Sequence, residues 1–502
     1  MMPVCIRWIR ALPGRTWFWI TFAGLLAVQC VPFLLTAKPP LQDYPNHLAR
    51  LFILTHWAHD PFLKTYYTPD WQFLPNLAFD ILGSALSLFL PIFMAGQVSL
   101  IIAVLLLAFG LIWISSALYS TPRSFCLLGF IFLFSKPFSW GFVNLILGFG
   151  LALFGIGGWL RLRERPWPIV LCWSVPFALA LFFAHLFAFG AYGLTLACIE
   201  LDAGLRAARP LRAIGRSLGL GAAQLLAPAL IFLFASPTAQ TDEAMYYGDF
   251  LRRIVSVPLA TVRNFNDALD VATFLVLVAL LAFGFWTGRL RIAREMRLAL
   301  VAFAVISFFV PKHLSSADNV QMRAPVMAAL LLAGAGEWIA RSRREFLIGA
   351  SLILLFTIRT GVVVSYFETG SRYAAELERA LMPLPQGVRI ASMTVISPSN
   401  GNMRGEWEHS ICYAVIEKSA FVPSLFTIPG QQPLRRAAAF QGDVPFPATQ
   451  YVSRPGSALP SSDFAAMDYV LVVNPDLMQT SLPATLTLVS VGHQFRLYRV
   501  QQ

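Results

Sequence analysis

From about residue 17 to residue 366 the chain alternates long apolar runs with short segments in which arginines cluster, and that pattern leaves few folds open. About 20 apolar residues span a hydrocarbon core as a helix, because every backbone polar group must then be satisfied within the segment. The arginines set direction, since Lys and Arg collect in cytoplasmic loops. Here they stand at Arg7/Arg10/Arg15, Arg123, Arg161/Arg163/Arg165, Arg206/Arg209/Arg212/Arg216, Arg289/Arg291/Arg294/Arg297 and Arg341/Arg343/Arg344. An even number of crossings has to separate each pair of basic segments. The runs that satisfy this lie at about 17–37, 97–118, 124–135, 140–160, 167–183, 186–200, 217–235, 270–287, 298–311, 324–340 and 346–366. They predict a mostly α, polytopic bundle of about eleven spans, N-terminus inside and C-terminus outside. The run 124–135 and the pair 167–183/186–200 are short, which suits tilted, broken or re-entrant helices.

Composition agrees with lipid as the surrounding solvent. The 502 residues are 57% hydrophobic and only 13% charged, against about 25% charged in soluble domains. The net charge of +12 is spread between apolar runs rather than pooled, so it orients helices and argues against nucleic acid as a partner. Six cysteines without a CxxC pair make neither a disulfide framework nor a thiolate metal site. "TWFWITFAGLLAVQCVPFLLTA" follows a basic N-terminus as a signal sequence would, but is too long for a cleaved one and reads as an uncleaved first helix.

Residues 76–91, "NLAFDILGSALSLFLP", are apolar enough to cross, yet a crossing there would invert every later loop. They are expected to form a helix along the outer membrane surface, within a first outer loop of 38–96. The membrane domain is thus 1–366. Residues 367–502 change character: a polar helix, then strand-like "RIASMTVI", "DYVLVVN" and "FRLYRV" among Pro, Gly and Ser, predict a small extracytoplasmic α/β domain.

Ionisable residues gather on the outer side. "PPLQDYPNHLARLFIL" puts Asp43 and His47 four apart at the start of a helix, on one face, with Pro45 in its first turn. An acid beside an imidazole suits a general base or a divalent cation site, while Asp43 could equally cap the helix. His185 lies at the turn in "FFAHLFAF", Lys312, His313 and Arg323 lie in "PKHLSSADNVQMRAP", and Arg359 lies in the last span. Interfacial anchoring is the alternative for the two arginines, and a bundle-satisfied ring the alternative for His185. The "GEWEHS" cluster (Glu406, Glu408, His409) reads as a solvated strand face, and the glycines of "GFGLALFGIGG" as close helix packing.

An acid just after the first span in "LQDYPNHLAR", a long outer loop with a surface helix, some ten further spans and an outer C-terminal domain resemble the GT-C glycosyltransferase superfamily. The resemblance covers the architecture of the whole chain, and Asp43 alone matches its motif. A second acid, often found near the first in that superfamily, is replaced here by Tyr44-Pro45-Asn46-His47. The resemblance implies sugar transfer from a polyprenyl-phosphate donor to a glycan, lipid or protein acceptor, outside a bacterial inner membrane, with a divalent cation as candidate cofactor. It implies Asp43 as base with His47 beside it, and Arg323, Arg359, Lys312, His313 and His185 toward the donor. A transporter or lipid flippase would instead show mid-bilayer polar groups and paired repeats, and a non-catalytic scaffold would not depend on Asp43.

Overall fold

The structure, a computed structural model, describes residues 14–207, 210–240, 245–314, 317–340, 345–396, 407–441, 450–452, 459 and 464–501. Arg7, Arg10, Arg209, Arg341, Arg343 and Arg344 of the basic segments, together with Cys5 and Glu406, lie outside these residues.

Helices form where the apolar runs are: Gly14–Leu35, Ile92–Tyr119, Val143–Leu162, Trp167–Ala184, Leu186–Leu205, Pro210–Phe234, Asp267–Trp286, Arg294–Phe309, Arg323–Ala335 and Glu345–Leu381. Among the described residues seven helices are long and apolar enough to cross a membrane. The chain is an integral membrane protein. The 124–135 run is broken, as its length suggested, into Ser124–Gly129, Phe130–Leu133 and Lys136–Ser139. Pro137 lacks the N–H that a continuing helix would need.

The Ile92–Tyr119 and Val143–Leu162 helices pack at close range, and their glycines explain why. A Cβ on Gly110 would meet the Leu153 Cβ at 2.8 Å, and one on Gly150 would meet the Leu106 Cβ at 2.5 Å. Small residues let helix axes approach where lipid offers no hydrophobic drive to association.

Two boundaries differ from expectation. The 324–340 run ends as helix at Ala335, and Gly336–Trp338 (β3) instead pairs antiparallel with Leu290–Ile292 (β2). Glu337 is thereby set against Arg123, 3.1 Å away. The last helix does not stop near residue 366 but continues as 37 residues to Leu381. At about 1.5 Å per residue it is roughly 55 Å long, well beyond a hydrocarbon core of about 30 Å. It carries the chain from the bundle into the C-terminal domain.

That domain holds a five-stranded sheet in the order β6 (Gln450–Val452), β4 (Ile390–Ile396), β7 (Tyr469–Val473), β9 (Phe495–Val500), β8 (Leu486–Val491). β4 runs parallel to β6 and β7, while β9 is antiparallel to β7 and β8. The three strands expected from sequence are the three central ones.

The first outer loop and this domain are stitched together. Tyr67–Pro69 (β1) pairs antiparallel with Leu434–Arg436 (β5). The Tyr67 hydroxyl accepts from the Val422 N–H at 2.9 Å. Lys38, 4% exposed, reaches Glu378 on the long helix at 2.6 Å and Glu417 at 2.7 Å. The outer loop's helix Ala78–Ser87 is held by a buried ion pair, Arg50 Nε to Asp80 Oδ1 at 2.8 Å.

Candidate active site

Asp43 is placed by the turn "WGFVN". Its N–H donates to the Trp140 carbonyl at 2.8 Å. The next residue, Gly141, has φ +79°, and a Cβ there would sit 2.8 Å from the Tyr44 nitrogen and 3.0 Å from that of Asp43. Only glycine lets the two segments lie so close. Asn144 completes the arrangement: its Oδ1 accepts from the Phe79 N–H and its Nδ2 donates to the Asn76 carbonyl, each at 2.6 Å.

Tyr44–His56 forms the expected helix, with Pro45 in its first turn. Asp43 stands at the capping position, but its carboxylate accepts none of the helix's first N–H groups. Its backbone is already helical, φ −89° and ψ −10°, whereas a capping side chain folds back from an extended residue. The carboxylate turns instead into a cavity of about 550 Å³.

Separate parts of the chain wall this cavity: the Asp43 helix with His47 and Arg50; the 140–145 turn; His185 at the turn between two helices; the Ala317–Arg323 segment; and, from the C-terminal domain, Glu408, His409 and Phe426. Asn76 and Asn319, both at positive φ, also line it. Asparagine is among the side chains that tolerate that backbone.

Burial, reinforced by Glu408 and Asp318 and opposed by Arg323, pushes the Asp43 carboxyl up to about 8. A carboxyl tuned near ambient pH is suited to take a proton. His47 is not its imidazole partner: its Nδ1 faces the Arg50 Nη2 at 2.9 Å, and burial with that guanidinium holds its pKa well below the ordinary histidine value. The ring facing Asp43 is His409, with Nε2 3.6 Å from Oδ1.

Arg323 opens the Arg323–Ala335 helix and has donors to spare. Its Nη2 reaches the Asp318 carbonyl at 3.2 Å, its guanidinium lies 5.4 Å from the centre of the Phe142 ring, and its buried Nε has no hydrogen-bond partner among the described residues. His185 caps the Leu186–Leu205 helix, its Nδ1 accepting from the Phe187 and Ala188 N–H groups. The proton of the neutral ring is therefore on Nε2.

Lys312, His313 and Arg359 are not among the residues lining the cavity. His313 pairs by backbone with Tyr246 and stands 3.8 Å from Asp318, and Lys312 accepts a backbone bond from Val320. Arg359 is 4% exposed and committed elsewhere, to Asp270 at 2.7 Å, Thr273 at 3.1 Å and the Val262 carbonyl.

The described part of the "GEWEHS" segment, residues 407–410, is not a solvated strand. Trp407, Glu408, His409 and Ser410 are buried, Trp407 against Tyr373 and Phe495, and Gln42 donates to Glu408 at 3.3 Å. The apolar "ICYAV" that follows was the signal that the segment faces inward. Among the described residues no three His, Cys, Asp or Glu side chains are grouped to hold a metal ion.

No family model matches the sequence, and no curated protein matches it. Solved structures do. ArnT from Cupriavidus metallidurans in the apo state matches with TM-score 0.53 and 12% identity, over 97% of this chain and 98% of that one. The chain has a GT-C fold. The same protein bound to undecaprenyl phosphate matches at 0.49 and 11%, over the same shares. Within this fold, the cavity lies between the loop after the first helix, turns of the helix bundle and the C-terminal domain.

Proposed function

We propose that the protein is a membrane glycosyltransferase that moves a sugar from a polyprenyl-phosphate donor to an acceptor on the extracytoplasmic side, in a bacterial inner membrane. The observation that carries this reading is Asp43, uncapped, raised to about 8 and opening into a cavity that also holds Arg323. The GT-C fold supports it.

In this reading Asp43 accepts the proton of an acceptor hydroxyl. The acceptor oxygen bonds to the anomeric carbon, the bond from that carbon to the phosphate oxygen breaks, and its electron pair leaves with the polyprenyl phosphate. Charge grows on that phosphate in the transition state. Arg323, with its unpartnered Nε, and His185, through Nε2–H, are the donors we assign to it. His47 is neutral and supports the cavity floor with Arg50 and Asp80.

The test is turnover by purified protein of polyprenyl-phosphate-linked sugars, read as release of free polyprenyl phosphate. Turnover by the wild type that Arg323→Ala lowers at least tenfold supports the assignment. No binding and no turnover across a panel of such donors would overturn it.

A further inference from the structure

The C-terminal domain contributes an imidazole to the centre of the cavity, and nothing in the first-loop motif accounts for it. His409 is 8% exposed, with its Nε2 3.6 Å from Asp43 Oδ1 and its Nδ1 buried without a hydrogen-bond partner among the described residues. The ring is not loose packing. Phe426 lies edge-on to it at 4.9 Å between centroids and edge-on to His47 at 6.5 Å, so one aromatic ring contacts both imidazoles. Phe426 is itself fixed to the Asp43 helix, its N–H donating to Asn46 Oδ1 at 2.7 Å. The C-terminal domain thus places His409 against Asp43 through a contact made by the residue three positions after Asp43.

We propose that His409 is a positioning residue, whose Nε2–H is directed at the Asp43 carboxylate and holds it toward the acceptor in the cavity. The tautomer follows from the surroundings. When Asp43 is ionised, as a base must be, an Nε2–H meets a carboxylate oxygen, whereas an Nδ1–H would meet no acceptor among the described residues and leave a bare lone pair facing the charge. A gap of 3.6 Å is longer than a finished hydrogen bond, and such contacts tighten when substrate closes the site. Burial lowers the His409 pKa, so the ring stays neutral at neutral pH and acts as a donor rather than as a cation. The other titratable and charged groups lining the cavity with Asp43 are Glu408, Asp318 and Arg323 from the 317–323 segment, His185, and His47 with Arg50 on Asp43's own helix.

The inference rests on Asp43 being the base, and its test separates the two ideas. His409→Phe keeps a ring without a donor, and His409→Gln restores an amide donor of similar reach. The titration of the Asp43 carboxyl is read by infrared difference spectroscopy, subtracting Asp43→Asn, and needs no turnover. Losing a donor directed at the charged form should raise the carboxyl's midpoint, by up to about one pH unit, in His409→Phe, with return toward wild type in His409→Gln. The rising limb of kcat/KM against pH should move with it, and kcat at pH 7 should fall about tenfold with KM little changed. An unmoved midpoint in His409→Phe would overturn the proposal, as would a fall in kcat with no movement of the limb, which is what a purely structural ring would give. If the wild type transfers no sugar while the midpoint still shifts, the glycosyltransferase reading fails and the His409–Asp43 coupling stands.

Discussion

Asp43 is the residue on which function and stability pull in opposite directions. Asp43→Asn removes the base, and sugar transfer should fall by about 10²–10⁴, the usual contribution of a general base. The same change should not harm the fold, because the carboxylate caps nothing. The sign is fixed by the raised pKa. A carboxyl held near 8 in the fold and near 4 when unfolded contributes stability that is complete below about pH 4. That contribution is lost as pH rises through about 8. Melting curves should therefore show Asp43→Asn more stable than wild type at pH 9, with the gap closing toward pH 4. A variant that melts lower at pH 9 would mean the fold needs the charge. Asp43 could be read from sequence because an acid just past an apolar run is conspicuous. His409 could not, since only the folded chain brings it across the 366 positions that separate the two.

At the scale of the element, the turn at 139–144 does what the sequence only hinted. Ser139 and Trp140 bond the backbone at Gln42 and Asp43, Gly141 lets it approach, and Asn144 ties in the 76–79 segment, yet "WGFVN" has no recognisable chemistry of its own. Gly141→Ala should cost more than about 1 kcal/mol, since it strains a positive-φ residue and forces two segments apart. It should also lower transfer, a loss that Asp43 itself cannot explain; thermal melts and donor turnover measured together test this. The Glu345–Leu381 helix makes the opposite point. Its apolar half was legible by length and "SRYAAELERAL", made of good helix formers, as a polar helix after it; only the folded chain shows the two to be one continuous helix. Arg359, inside it, was expected near the donor and is instead bound to Asp270. Arg359→Ala should destabilise by about 3–5 kcal/mol, because it strands a buried carboxylate. Donor affinity per folded molecule should be unchanged, and a weakened affinity at wild-type stability would return Arg359 to the site.

For the whole molecule the decisive question is which side of the membrane the cavity faces, and one orientation serves every part of it. Two lines bear on it independently. The arginine-bearing segments, counted by even crossings, predict the N-terminus inside and the C-terminus outside. The structure joins the first outer loop to the C-terminal domain through β1–β5, Lys38 and the Asn46–Phe426 contact, so these two parts must share a side. A helix of roughly 55 Å can span the core and still reach that domain. Reporter fusions follow directly. One joined after Gln502 should be active only in the outer compartment, and one inserted near Arg294 only in the cytoplasm. Cytoplasmic activity at the C-terminus would move the cavity inside together with both of its walls, since the stitching allows neither to move alone. It would also change the crossing count by an odd number, which the basic segments oppose. The broken 124–139 stretch is where such an error would arise, because its pieces are individually too short to cross and parity alone assigns it a crossing.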